Sequence, residues 1–273
     1  MQATAACARR AGRRIGLVPT MGYLHAGHLS LVRLARDRAD LVVLSIFVNP
    51  IQFGPGEDPS AYPRDLARDE GLCAAGGVDV VFCPEARDMY APDHSVHVEE
   101  GLLSRTLCGA NRPGHFRGVA TVVAKLFNIV TPDVAVFGEK DAQQCRVIQR
   151  MVRDLNFPVA IVLGPTVREP DGLAMSSRNK YLTASERRDA LCLRRALDEA
   201  ERLAGLGTRD VGAVRRAIAD IIGRVPSAAI EYIEAVDSGT LEPVSEIRGD
   251  VLVALAVRIG KTRLIDNTVL TAR

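Results

Sequence analysis

Two histidines stand three apart with a glycine between them, His25 and His28, in the octapeptide MGYLHAGH at residues 21–28. The apolar run IGLVP precedes it and the amphipathic run LSLVRLARDRA follows. That order places the histidines where a strand turns into a helix. A helix start directs unbonded N–H groups and the positive end of its dipole at whatever lies before it. Two imidazoles beside those groups make a site for anionic oxygens, suited above all to a nucleotide triphosphate. There they can stabilise charge on a phosphate under attack. Gly22 and Gly27 let the backbone approach such a ligand closely. The same residues admit two other readings. A zinc site needs a third ligand, and none is evident at ligand spacing. An ordinary helix start with solvent-facing histidines would look the same. The GxxxxGK[ST] phosphate loop is absent.

A second candidate is FGEKDAQQ, residues 137–144, again between an apolar run and a helical pattern. Lys140 can reach phosphate as a point charge. Asp141 can accept hydrogen bonds from ribose hydroxyls, and Gln144, one turn on, can bind hydroxyls of a second substrate. Read alone, the segment is equally a solvated helix start, where acidic residues are favoured. A third is MSSRN, residues 175–179: the Ser176 and Ser177 hydroxyls and the Arg178 guanidinium suit phosphate oxygens. Read alone, it is equally a polar linker.

The elements that must position these groups follow from periodicity. Strands are expected at residues 14–19, in DLVVLSIFVNP, in VDVVFCP, in DVAVFG and in VAIVLGP. Helices are expected at 28–38, 66–75, 121–130 and 142–155. The second strand, continuously apolar and β-branched, should be buried on both faces. Strands separated by helices imply right-handed crossovers and a doubly wound, Rossmann-like parallel α/β sheet, whose ligands bind at the carboxyl ends of the strands. Near residue 166 the pattern changes. Thr183 with Glu186 forms a capping-box signature, a long helix is expected to about residue 206, and another at 211–225. Three antiparallel strands should close the chain, in AIEYIEAVD, VLVALAVR and TRLIDN. The expected division is a nucleotide-binding domain at 1–166 and a smaller α+β domain at 167–273. The Gly/Pro-dense FGPGEDPSAYP reads as a mobile covering loop.

Composition sets broad limits. The 273 residues are 47% apolar and 25% charged, with a net charge of +2. Nothing here suggests a nucleic acid or a membrane as partner. The start carries arginines but no apolar secretory core. Six cysteines, at positions 7, 73, 83, 108, 145 and 192, form no C-x-x-C pair. They read as small apolar residues of a reducing, cytoplasmic compartment. In RPGHFRGV, His115 and Arg117 read as a turn entering a helix at Val119, and Arg112 as a candidate anion contact.

Seven blocks, in order, are PTMGYLHAGH, SIFVNPIQF, AYPRD, RPGHFRGV, FGEKDAQQ, DGLAMSSRN and RLIDN. Together, over nearly the whole chain, they resemble the pantothenate synthetase (pantoate–β-alanine ligase) family of the nucleotidylyltransferase superfamily. The resemblance implies condensation of pantoate with β-alanine, using ATP and Mg²⁺, through a pantoyl adenylate, with release of pyrophosphate and AMP. It implies that Met21, Gly22, Tyr23, Leu24, His25, Ala26, Gly27 and His28 line the ATP site, the histidines on phosphate and His28 as proton donor. Gly138, Glu139, Lys140 and Asp141 would hold the nucleotide, Val167 would pack near the adenine, and Met175, Ser176, Ser177 and Arg178 would form a mobile phosphate loop. Gln52 and Gln144 would bind pantoate, and Asn49 would assist pantoate or β-alanine. Phosphate oxygens would hold most of the Mg²⁺, with no protein ligand named, the smaller domain would act as a lid, and a homodimer is implied. The chain departs from the pattern in a shorter start and in Cys108, where an acidic residue is common. The alternatives are another adenylyl- or cytidylyltransferase of the H-x-G-H superfamily, or a nucleotide-binding module without catalysis.

Overall fold

The computed structural model describes residues 1–54 and 57–271. By contacts the chain divides into two compact units. Residues 1–104, 109–139 and 144–166 form the first, and 105–108, 140–143 and 167 onward form the second. Of the expected covering loop, Pro55 and Gly56 lie outside the described residues.

The first unit runs α1 (Gln2–Arg10), β1 (Ile15–Thr20), α2 (Ala26–Arg36), β2 (Leu41–Ile46), α3 (Leu66–Gly76), β3 (Val80–Phe82) and α4 (Ala86–Met89). After α5 (Leu107–Asn111) follow α6 (His115–Val130), β4 (Val134–Gly138), α7 (Ala142–Asp154) and β5 (Ala160–Gly164). The five strands form one parallel sheet in the order β3-β2-β1-β4-β5. Every residue of β2 is buried, Ser45 included, as its otherwise apolar run requires. Strand order reverses between β1 and β4: β1 leads to β2 on one side and pairs with β4 on the other. Such a reversal leaves a crevice at the carboxyl ends of the two strands, the usual ligand position of open α/β sheets.

Three local expectations need correction. The helix expected from residue 121 begins at His115, behind Gly114 at φ 81°, so His115 and Arg117 lie within it. Gly118 also sits inside α6, in a place with no room for a side chain: a Cβ there would stand 2.5 Å from the Ile51 carbonyl oxygen and 2.6 Å from Gln52 Cα. The glycine that read as a turn therefore allows backbone-to-backbone packing. The helix α1 was not expected; it is alanine-rich and buries only Ala5 and Ala8, which leaves no apolar period to detect.

The third correction lies in the second unit. Thr183 and Glu186 do form a capping box, opening α8 (Ala184–Asp189). The expected long helix then breaks before α9 (Cys192–Gly205). At the break, Leu191 N–H bonds Arg188 O and Leu193 N–H bonds Ala190 O, a tightening to three-residue spacing. Next comes α10 (Val211–Gly223), then β6 (Ala228–Asp237), β7 (Asp250–Ile259) and β8 (Thr262–Thr271), an antiparallel sheet in that order. Leu193, Leu197, Ile218, Ile222 and Leu255 fill its core. Among the described residues, no helix is long and apolar enough to cross a membrane.

Candidate active site

The turn after β1 is fixed by groups on three neighbouring segments. Thr20 Oγ1 donates to Ser45 O (2.7 Å) and accepts from Gly22 N (3.1 Å). Gly22 adopts φ 84° and Tyr23 φ 51°. The buried Asp69 carboxylate, 1% exposed, accepts from Tyr23 N (2.7 Å) and Leu24 N (2.8 Å). A Cβ at Gly22 would come within 2.9 Å of Ile46 Cγ2 and 3.2 Å of Asp69 Oδ2. Asp69 thus holds the turn from below by two charge-assisted bonds. The sequence reading missed it, because within LARDEG it looks like one more surface charge on a helix.

His25 is the N-cap of α2, and His28 is its third residue. His25 Nδ1 accepts from Gly27 N (3.2 Å), and His28 Nδ1 accepts from His25 N (3.3 Å), so the two imidazoles make a reciprocal capping box. Their ring centroids are 4.0 Å apart. Backbone N–H groups can only donate, so each neutral ring must carry its proton on Nε2. The pair offers two Nε2–H donors beside a helix start that has no acidic residue in its first turn. Such a donor set stabilises oxyanions and phosphate oxygens.

Beyond the carboxyl end of β2, Asn49 precedes the turn Pro50–Gln52. Asn49 is 1% exposed. Its Nδ2 donates to Gln52 Oε1 (3.0 Å) and Gly118 O (3.1 Å), and its Oδ1 accepts from Tyr90 Oη (2.7 Å). Gln52 Nε2 donates to Met21 Sδ at 3.2 Å. The structure therefore connects Met21, Asn49 and Gln52 directly. On the other side of β1, Gly138 ends β4 and accepts a bond from Cys145 Sγ (3.3 Å); Gln144 lies in the first turn of α7.

Arg112 is already engaged. It forms a two-pronged pair with Glu57, both contacts 2.8 Å, and stands 2.9 Å from His115 Nε2. As a candidate anion contact it is neutralised by Glu57. Burial pushes the Glu57 carboxyl up, but hydrogen bonds from Arg112 and Gly54 N–H, with the Arg112 charge, outweigh it and hold Glu57 below the usual range.

In the second unit, Lys140 and Asp141 lie in the short turn Glu139–Asp141, and Asn267 Nδ2 donates to Lys140 O (2.9 Å). Ser176 caps the turn Ser177–Tyr181, accepting from Arg178 N (3.2 Å). Val167 O accepts from Met175 N (3.0 Å), which closes a hairpin behind that turn. Arg187 stabilises the hairpin by bridging Glu169 (2.8 Å) and Asp171, whose carboxyl it holds below the usual range, while Asn179 donates to the other Glu169 oxygen (3.0 Å). At Cys108, Arg263 Nη2 stands 3.3 Å from the thiol sulfur, and Arg263 Nε donates to Glu231 (2.7 Å). Among the described residues, no three His, Cys, Asp or Glu side chains group as metal ligands.

Known proteins share this architecture. The family model for pantoate-beta-alanine ligase matches residues 1–269. The pantothenate synthetase of Moorella thermoacetica is 58% identical over 265 residues, covering 97% of this chain and 94% of that protein. The crystal structure of pantothenate synthetase from Thermus thermophilus has a TM-score of 0.92 at 49% identity, covering 97% of this chain and 96% of that one. A pantoate-beta-alanine ligase from Francisella tularensis, described as complexed with beta-gamma ATP and beta-alanine, has a TM-score of 0.75 at 36% identity, covering 94% and 90%. With its histidine-capped turn at the β1/β4 reversal and this likeness over almost its full length, the chain belongs to the pantoate–β-alanine ligase family.

Proposed function

We infer that this chain joins pantoate to β-alanine with ATP, forming pantothenate, AMP and pyrophosphate. The observation that carries the reading is the paired-imidazole turn at the strand-order reversal, in a chain matched from residue 1 to 269 by this ligase family. A pantoate carboxylate oxygen attacks the α-phosphorus, the bond to the bridging oxygen of pyrophosphate breaks, and pantoyl adenylate forms. The β-alanine amine then attacks the acyl carbon, loses a proton and expels AMP. A carboxylate is a poor acceptor for an amine, and adenylation gives it a good leaving group. The first step brings a negative nucleophile to a negative phosphate, so donors must neutralise charge as it builds.

We assign Met21 through His28 to the nucleotide, with the His25 and His28 Nε2–H groups on phosphate oxygens and His28 as proton donor. Gly138, Glu139, Lys140 and Asp141 are assigned to phosphate and ribose, Val167 to the adenine neighbourhood, and Met175, Ser176, Ser177 and Arg178 to the leaving pyrophosphate. Gln52 and Gln144 are assigned to pantoate. ATP enters as its magnesium complex, the ion carried by phosphate oxygens. The six free thiols support a cytoplasmic, reducing setting, and a symmetric dimer is the expected assembly. A different adenylyl- or cytidylyltransferase is not favoured, because the matched relatives are ligases along the whole chain.

Exchange of labelled pyrophosphate into ATP, with pantoate present and β-alanine omitted, tests the reading. Pantoate-dependent exchange is expected. Folded protein that binds ATP yet shows none would refute it.

A further inference from the structure

We propose that Tyr90 is a positioning residue for the acid substrate: its hydroxyl, together with the Gly118 carbonyl, holds the buried Asn49 amide in the orientation that decides which end of Gln52 is presented to pantoate. The inference rests on the assignment of Gln52 to pantoate and deepens it.

The argument is one of donors and acceptors. The Gly118 carbonyl can only accept, so the Asn49 group facing it at 3.1 Å must be Nδ2. That fixes the amide, and Oδ1 must then face a donor, which is Tyr90 Oη at 2.7 Å. The remaining Nδ2 hydrogen goes to Gln52 Oε1 at 3.0 Å. Gln52 is thereby held by its oxygen, leaving its NH2 end directed at Met21 Sδ, 3.2 Å away, in the first residue of the phosphate turn. A thioether is a weak acceptor. A carboxylate or hydroxyl oxygen is a much better one, so a pantoate oxygen gains from this orientation. Asn49 itself is 1% exposed, with both amide hydrogens and its oxygen engaged. Its influence on substrate therefore passes through Gln52.

Tyr90 is built to remain a donor. Its ring packs against Phe47 (centroids 6.3 Å) and edge-on to His94 (4.9 Å), and Lys125 Nζ lies 5.5 Å from the ring centroid. Burial pushes its phenol pKa well above the ordinary value, so the proton stays on the oxygen. Gly118 completes the device, because only a glycine lets α6 bring that carbonyl so close to the Pro50–Gln52 turn.

Tyr90→Phe removes the hydroxyl and keeps the ring. In the pyrophosphate-exchange assay the pantoate KM should rise about tenfold, the effect of one displaced hydrogen bond, while the ATP KM and kcat stay within about twofold. Parallel rises in both KM values, or an unchanged pantoate KM, would overturn the proposal. Because Tyr90 acts through Gln52, Tyr90→Phe should add nothing in a Gln52→Ala background, and additive effects would also overturn it. A readout without substrates is hydrogen exchange of the Asn49 side-chain amide by NMR. It should be slow in the wild type and faster by about tenfold or more in Tyr90→Phe; fast exchange in the wild type overturns the proposal even if the variant does not fold. Absence of any pantoate-dependent exchange in the wild type would instead refute the activity, while the amide signal still decides whether Tyr90 holds Asn49.

Discussion

The His25 imidazole lies over that of His28, ring centroids 4.0 Å apart and planes inclined by 31°, and each ring caps backbone through Nδ1, His25 accepting from Gly27 N and His28 from His25 N. The Nδ1 atoms of this one pair start a helix, and the proposed function gives its Nε2–H groups a second task, on phosphate.

The two tasks separate by mutation. His28→Gln keeps a capping-box acceptor at the third helical position but removes the imidazole. It should melt near the wild-type temperature while adenylation falls by roughly 10²–10³-fold, the loss typical of one oxyanion donor. His28→Ala should show the same rate loss plus about 1 kcal/mol of destabilisation. Pyrophosphate exchange and thermal unfolding measure both; wild-type turnover in either variant removes His28 from the mechanism.

Asp69 supports this turn through its bonds to Tyr23 N and Leu24 N. In Asp69→Asn, one of the two backbone N–H groups of Tyr23 and Leu24 would meet an amide NH2 instead of an oxygen. A buried donor left unpaired costs about 1–3 kcal/mol. Melting temperature and the kcat/KM for ATP should fall together. A variant with wild-type melting would show that the turn does not depend on the carboxylate.

Gly118→Ala forces a methyl against the Ile51 and Gln52 backbone. Overpacking of this kind costs about 1–3 kcal/mol, and here the displaced residue is one assigned to pantoate. The expected result is a lower melting temperature with a higher pantoate KM. Kinetics indistinguishable from wild type would mean that the Pro50–Gln52 turn accommodates the methyl without moving Gln52.

Glu57 gives a pH dependence. Its carboxyl is held below the usual range in the folded chain, so between the folded and unfolded values the unfolded state binds more protons. The Arg112 pair contributes fully above the unfolded value, about 4.3, and the contribution is lost as pH falls through the lower folded value. The gap in melting temperature between wild type and Glu57→Gln should be open at pH 7 and close on acidification. A gap independent of pH would remove the ion pair as its cause.

Much of this protein can be read from local pattern. A strand such as Leu41–Ile46 must be buried because it has no polar face, and Thr183 with Glu186 caps a helix wherever that helix packs. The His25–His28 turn is legible for the same reason: its bonds run between residues at most three apart. What local pattern cannot carry is pairing across distance. Asp69 meets Tyr23 from 46 residues away, Tyr90 meets Asn49 from 41, and Gly118 meets Asn49 from 69. Before folding, each of these reads as a surface acid, an aromatic and a turn glycine. Only the tertiary structure makes them supports of the site, because a hydrogen bond acquires its meaning from the partner that the fold delivers.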